Sequence, residues 1–152
     1  YFRTKEKLFE QVMKVKIILL FGQIIPIVSN EKTSLDEKLD LASGKYFDIL
    51  SKNPNLPLFI LSEIQKKTSD VKSILPADKV LKNSFIINQI QEKKPDINPF
   101  HFLLNFLSMT VFPFLGKPIL QTFEVMNDEE FQKFVEERKT LVPMWIKMML
   151  NY

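Results

Sequence analysis

The sequence predicts an all-α fold, and three observations favour it. Glycine occurs only at positions 22, 44 and 116, and no run of alternating β-branched residues lies between turn signals. Helix-starting residues recur along the chain, and apolar residues behind them step by three or four. The 152 residues are 45% hydrophobic, which suffices for the core of one compact domain. We therefore expect a single domain of six principal helices.

The first helix is expected to be long, starting at Thr4 as its cap and extending towards Pro26. One set of apolar residues steps by three or four and is expected to form its core face, continuing to Gln23: Leu8, Val12, Val15 and Leu19.

The second helix carries the clearest signals. Ser34 and Glu37 form a capping box, and Asn53-Pro54 stops the helix. Its apolar face comprises Leu35, Leu39, Ala42, Tyr46, Ile49 and Leu50. Pro57 fits the first turn of a short third helix, whose apolar residues are Leu58, Phe59, Leu61 and Ile64.

Three further helices follow. One is expected to run from Pro76 through Phe85 to Lys93, since basic residues suit a helix C-terminus. Asn98-Pro99 opens an apolar helix that Pro113 should break or kink. Asn127 or Asp128 caps the last helix, which runs to the chain end with a kink at Pro143.

Composition excludes several kinds of chemistry. The chain has no cysteine and one histidine, His101, so disulfides, thiolate metal sites and imidazole zinc clusters within one chain are excluded. Three scattered glycines cannot form a phosphate-binding loop, and no nucleophile is paired with a base. We expect His101 to satisfy a structural hydrogen bond. The sequence therefore predicts no enzyme activity, no metal and no cofactor, and it is compatible with a reducing cytoplasm.

Charge is concentrated at the N-terminus. The net charge is +3, and the first 16 residues account for it, with five basic side chains against two acidic ones. Residues 17–30 and 97–116 carry no Asp, Glu, Lys or Arg. The first stretch is shorter than the roughly 20 residues that a bilayer needs, and prolines and amides interrupt the second. We expect no membrane partner, and a helix buried on more than one side at 97–116.

The last two helices have more apolar surface than one face can hold. In the final helix, one seam comprises Phe131, Val135, Arg138, Val142, Trp145 and Met149, and a second comprises Phe134, Leu141 and Met148. One seam can serve the core, and the other favours a homodimer. We expect the interface to include the first seam with Leu103, Leu107 and Phe114. The alternative is that both seams are buried within one chain.

The aromatic content suggests a pocket. Fourteen phenylalanines are more than packing alone obviously needs, and several lie on helices that also carry isolated amides, an arrangement typical of sites for small hydrophobic ligands. The candidate residues are Phe59, Phe85, Asn88, Gln89, Phe102, Asn105 and Phe106. The alternative is that these aromatic side chains are simply core.

The opening stretch Tyr1-Phe2-Arg3-Thr4-Lys5-Glu6-Lys7-Leu8 resembles the junction between the helix-turn-helix and the effector domain of tetracycline-repressor (TetR) family regulators. Residues 97–101 and 112–115 are similar to the penultimate helix of many members, and residues 128–131 to the start of the last.

The resemblance implies a bacterial, cytoplasmic transcriptional regulator, a repressor. Residues 1–4 would be the tail of the missing helix-turn-helix domain, and residues 5–152 the effector-binding and dimerisation domain. Family members dimerise through a four-helix interface of their last two long helices. They bind a small, often hydrophobic effector among the central helices and operator DNA through the N-terminal domain. Tyr1 and Lys5 match positions that touch the DNA backbone.

Two other interpretations stay open. The chain could be an all-helical carrier of small hydrophobic ligands with no DNA role, or a membrane-associated helical bundle.

Overall fold

The computed structural model describes residues 2–66, 73 and 82–152. Throughout these residues the fold is all-α, with six helices and no strand, which confirms the predicted class. The helices are α1 (Phe2–Val28), α2 (Leu35–Lys52), α3 (Leu56–Gln65), α4 (Phe85–Lys93), α5 (Phe100–Thr122) and α6 (Asp128–Asn151).

Helix α2 lies at the centre and packs against α1, α4, α5 and α6. Its predicted capping box is confirmed. The Glu37 N–H donates to the Ser34 hydroxyl at 3.1 Å, and the Ser34 N–H donates to the Glu37 carboxylate at 2.7 Å. These bonds hold the pKa of Glu37 below its usual value. The predicted apolar face is buried apart from the half-buried Ile49.

Three other predictions about helix ends are also confirmed. Asn127 and Glu130 form a second capping box at the start of α6. Helix α2 ends at Lys52 with Asn53 as its cap, and Pro57 lies in the first turn of α3. Short polar side chains near helix ends bond locally to the backbone, so their effect can be read without knowing the tertiary structure.

Helix α1 differs from the prediction in two ways. It includes Phe2 and Arg3, so Thr4 lies inside its first turn and does not begin it. The predicted core residues Leu8, Val12, Val15 and Leu19 are between 44 and 64% exposed. The residues that α1 actually buries are Met13, Ile17, Leu20, Ile24 and Val28.

The reason is that α1 is apolar on two opposite sides. At 100° per residue, Val15 lies about 200° around the helix from Ile17. The predicted row leads into Gly22, Gln23 and Pro26, which are exposed. The other row stays apolar to the end of the helix, and it is the one that packs into the core.

The fourth helix is shorter than predicted where the structure describes it. Helix α4 begins at Phe85, and Ser84 before it has extended backbone, with φ −83° and ψ 145°. A continuous helix through this point is therefore wrong. The predicted start at Pro76 lies outside the described residues.

Helix α5 is not buried on more than one side within this chain. Its buried side chains include Phe102, Phe106 and Phe114, whereas Leu104 and Phe112 are exposed. The helix also continues through Pro113, which the sequence predicted to break or kink it, and α6 continues through Pro143.

The carbonyl groups that these prolines leave unpaired have other partners. Proline lacks an N–H and cannot bond the carbonyl four residues earlier. The Met109 carbonyl instead accepts two bonds from the Arg138 guanidinium, at 2.8 and 3.2 Å. The Lys139 carbonyl accepts a bond from the Ser43 hydroxyl at 2.9 Å. In both cases a side chain from a neighbouring helix bonds the carbonyl that the proline leaves free.

Candidate functional site

An apolar cavity of about 430 Å³, open to solvent on the side of Leu104 and Phe112, lies between α1, α2, α3 and α5. Leu20 and Phe21 of α1 form one wall, and Tyr46 and Leu50 of α2 the base. Helix α3 contributes Pro57, Ile60 and Leu61. Cavities of a few hundred Å³ lined by apolar side chains are typical of small-molecule sites.

Helix α5 contributes the largest part of the cavity wall: Leu104, Leu107, Ser108, Val111, Phe112 and Leu115. These residues recur at intervals of three and four, so they share one face of α5 beside the face that enters the core. The absence of charged side chains between 97 and 116 leaves this second face apolar. The cavity therefore arises from apolar surface in α5 that the core does not use.

The described part of the cavity wall carries no charged side chain and no histidine. Its polar side chains are the hydroxyl groups of Tyr46 and Ser108. Tyr46 is only 6% exposed, and burial raises the pKa of its phenol well above the usual value. Its ring packs edge-on against Phe106, with centroids 6.1 Å apart.

The Tyr46 hydroxyl donates to no described residue. Gln89 Oε1 is the one side-chain oxygen or nitrogen of the described residues that is both sealed from solvent and without a partner, so the Tyr46 oxygen still borders open space. Tyr46 also lines a second void of about 20 Å³ with Phe102 and Phe106. That void has room for about one water. The larger cavity can hold an organic molecule.

None of the seven predicted pocket residues lines the large cavity. Phe102 and Phe106 line the small void, and Phe59 packs edge-on against Phe9 at 5.8 Å. Asn88 and Asn105 are exposed. The structure therefore does not bring the seven residues together around one cavity, and Phe59, Phe102 and Phe106 are buried in the core.

The remaining two predicted pocket residues belong to a buried polar cluster between α2 and α4. Lys38 is fully buried, and its amine donates to the Thr33 carbonyl and hydroxyl at 2.6 and 2.8 Å. The amine lies 5.1 Å from the Phe85 ring centroid, and Gln89 Nε2 donates to the same Thr33 carbonyl at 2.9 Å. Burial lowers the pKa of Lys38.

The predicted interface residues separate into two groups. Leu103, Phe114, Phe131, Val135 and Val142 are buried in this chain's own core and are at most 8% exposed, which leaves a second chain little of them to contact. Leu107 is half-buried and lines the cavity. The three others, Arg138, Trp145 and Met149, are half-buried beside α5.

The two apolar seams predicted for α6 do not form two separate faces in the structure. Helix α6 turns Phe131, Val135, Val142, Ile146 and Leu150 towards the core. Residues of both predicted seams lie together on its half-buried and exposed side: Phe134, Arg138, Leu141, Trp145, Met148 and Met149.

The residues expected to touch DNA and the single histidine are either exposed or outside the described residues. Tyr1 lies outside the described residues, and Lys5 is exposed on α1. His101 is exposed in the first turn of α5. Two helices, residues 3–28 of α1 and the whole of α5, are long and apolar enough to span a bilayer by length and composition, a property that core helices share.

Sequence reasoning missed the cavity, although one signal pointed to it. Tyr46 is the polar member of the otherwise aliphatic face predicted for α2, and a buried phenol normally requires a partner. No family model matches the chain, and searches of curated proteins and of solved structures also find no match.

Proposed function

We propose that this chain is the ligand-sensing part of a TetR-like transcriptional regulator, a repressor, with the α1–α2–α3–α5 cavity as the effector site. The observation that carries the proposal is the cavity itself. It is apolar and large enough for a small molecule, and α1, the helix at the N-terminal junction motif, forms part of its wall.

The proposed mechanism is a population shift. A ligand in the cavity contacts Leu20 and Phe21 on α1 and the α5 face at once. If one arrangement of α1 against α5 makes better contacts with the ligand, binding favours that arrangement. A helix-turn-helix domain attached before α1 would move with it, and two such domains would no longer match the spacing of the operator half-sites.

The test uses the chain together with its preceding residues and its own promoter DNA, in a gel-shift assay at low salt. The regulator is expected to retard this DNA and to release it when a cavity ligand is added. Failure to retard the DNA at low salt contradicts the regulator and leaves the carrier of hydrophobic ligands, which the same cavity supports.

A separate assay tests the cavity without DNA. N-phenyl-1-naphthylamine, a neutral apolar dye, is expected to bind and to gain fluorescence as it leaves water. A variant that fills the cavity, Val111→Trp, is expected to lose this signal while remaining folded. An unchanged signal in that variant places the dye elsewhere and contradicts the proposed site.

A further inference from the structure

We propose that the cavity binds an uncharged, mainly apolar molecule carrying one acceptor oxygen, such as a ketone, ester or lactone, and that the Tyr46 hydroxyl donates a hydrogen bond to this oxygen. The inference rests on the proposed function, because it assigns a ligand class to the same cavity.

Charge limits the ligand class. Among the described residues, no Lys, Arg or His lines the cavity that could pair with an anion, and no Asp or Glu lines it for a cation. Moving an ion from water into apolar surroundings without a partner is strongly unfavourable. The wall therefore favours neutral ligands.

Tyr46 supplies the hydrogen-bonding group. Its hydroxyl has no partner among the described residues, and its side chain lines the cavity. Phenylalanine would fill the same space at less desolvation cost. The phenol stays protonated across the working pH range, because burial raises its pKa. It can thus serve as a permanent donor, and a ligand acceptor is its natural partner.

The rest of the wall is almost entirely apolar. Apart from the Ser108 hydroxyl on α5, its remaining described residues are aliphatic, aromatic or proline. Ser108 is exposed, so water can satisfy it, whereas Tyr46 is buried. One polar contact at Tyr46 and apolar contact elsewhere define the ligand class.

The experiment is a cycle of two proteins and two ligands, read by displacement of N-phenyl-1-naphthylamine. The ligands are 2-undecanone and 2-methyl-1-undecene, in which a CH₂ group replaces the carbonyl oxygen. The proteins are the wild type and Tyr46→Phe. We expect the preference for the ketone over the alkene to fall about fivefold in Tyr46→Phe, the effect of one neutral hydrogen bond.

Two further measurements sharpen the test. Tyr152→Phe makes the same chemical change at a fully exposed position and is expected to leave the ketone preference unchanged. Undecanoate at pH 8 is expected to compete at least about tenfold more weakly than the ketone, because its carboxylate finds no cation. The melting temperature of Tyr46→Phe should equal or exceed that of the wild type, because phenylalanine avoids the cost of burying the hydroxyl.

The outcomes separate the two proposals. If the dye binds and both ligands displace it, but their ratio is the same in wild type and Tyr46→Phe, the role of Tyr46 is wrong and the cavity still stands as a ligand site. Undecanoate competing as well as the ketone overturns the neutral class. If the wild type binds no dye at all, the cavity fails as a ligand site and the proposed function fails with it.

Discussion

At the scale of single residues, two side chains, Arg138 and Ser43, bond carbonyl groups that prolines inside long helices leave unpaired. Ser43 on α2 donates to the Lys139 carbonyl, which Pro143 leaves without its helical partner. Ser43 is completely buried, whereas Lys139 is half-buried. An unpaired buried carbonyl costs about 1–3 kcal/mol.

We therefore expect Ser43→Ala to lower the free energy of unfolding by about 1–2 kcal/mol. In a Pro143→Ala background, residue 143 regains an N–H for the Lys139 carbonyl. The same Ser43→Ala change should then cost about 1 kcal/mol less. Urea unfolding of the four proteins measures this coupling, and Ser51→Ala on the same helix serves as the control. If Ser43→Ala lowers the free energy of unfolding equally in both backgrounds, Ser43 does not compensate for Pro143.

Lys38 is a buried cation without an ion pair to any described residue. Burial lowers its pKa below the usual 10.5. Between that lowered value and 10.5, the unfolded chain binds more protons than the native one, so the contribution of Lys38 to stability rises with pH. Below the lowered value, the full desolvation penalty is present.

Lys38→Met is accordingly expected to be as stable as the wild type at pH 7, or up to about 1 kcal/mol more stable. The Thr33 carbonyl keeps its bond from Gln89, so no acceptor is stranded. Between pH 8 and pH 10, the wild type should gain stability relative to the variant, as denaturant unfolding at each pH would show. A relative loss over that interval means that the charged form of Lys38 is favoured in the fold.

At the scale of the helix, α1 shows what periodicity alone cannot decide. Two apolar rows on opposite sides satisfy the same spacing rule, and only contact with α2 and α3 selects one. The row that contains Ile17 and Leu20 enters the core, and the row that contains Val12 and Val15 does not.

Substitutions in the two rows test this orientation. Ile17→Ala is expected to lower the free energy of unfolding by about 2–4 kcal/mol, because it leaves a cavity in the core. Val15→Ala, two residues away, should change it by less than about 0.5 kcal/mol, since Val15 is exposed and alanine favours helix. Chemical denaturation of both variants gives the comparison. The reverse order would restore the orientation predicted from the sequence.

Helix ends were the most predictable part of the fold. Ser34 with Glu37 and Asn127 with Glu130 act within four residues of each other, so local sequence contains the whole interaction. The cavity could not be predicted in the same way, since Tyr46 and Val111 meet only through the crossing of α2 and α5. The phenylalanines chosen from the sequence do not line this cavity, because apolar residue type does not distinguish a core wall from a cavity wall.

At the scale of the whole molecule, one side of α6 presents apolar residues that this chain covers only in part. Phe134, Leu141, Trp145 and Met148 recur at intervals of seven, four and three and therefore lie in one row. Arg138 stacks between two of them, 5.3 Å from the Phe134 and Trp145 rings, while bonding to α5. This row is the surface through which we propose that two copies pair.

The location of the row changes which substitution tests the dimer. Val142 is 0% exposed, so a charge there would be buried in the core and Val142→Glu is expected to unfold the chain. Met148 is 63% exposed, and Met148→Glu should leave the fold intact while placing like charges across a two-fold axis. Native mass spectrometry should therefore show a dimer for the wild type and a folded monomer for Met148→Glu.

Leu58→Glu on α3, at a residue 64% exposed, should remain dimeric. A folded Met148→Glu dimer places the interface elsewhere. A wild-type monomer at micromolar concentration removes the dimer from the proposed mechanism, because one chain would then have no second helix-turn-helix domain whose spacing a ligand could change.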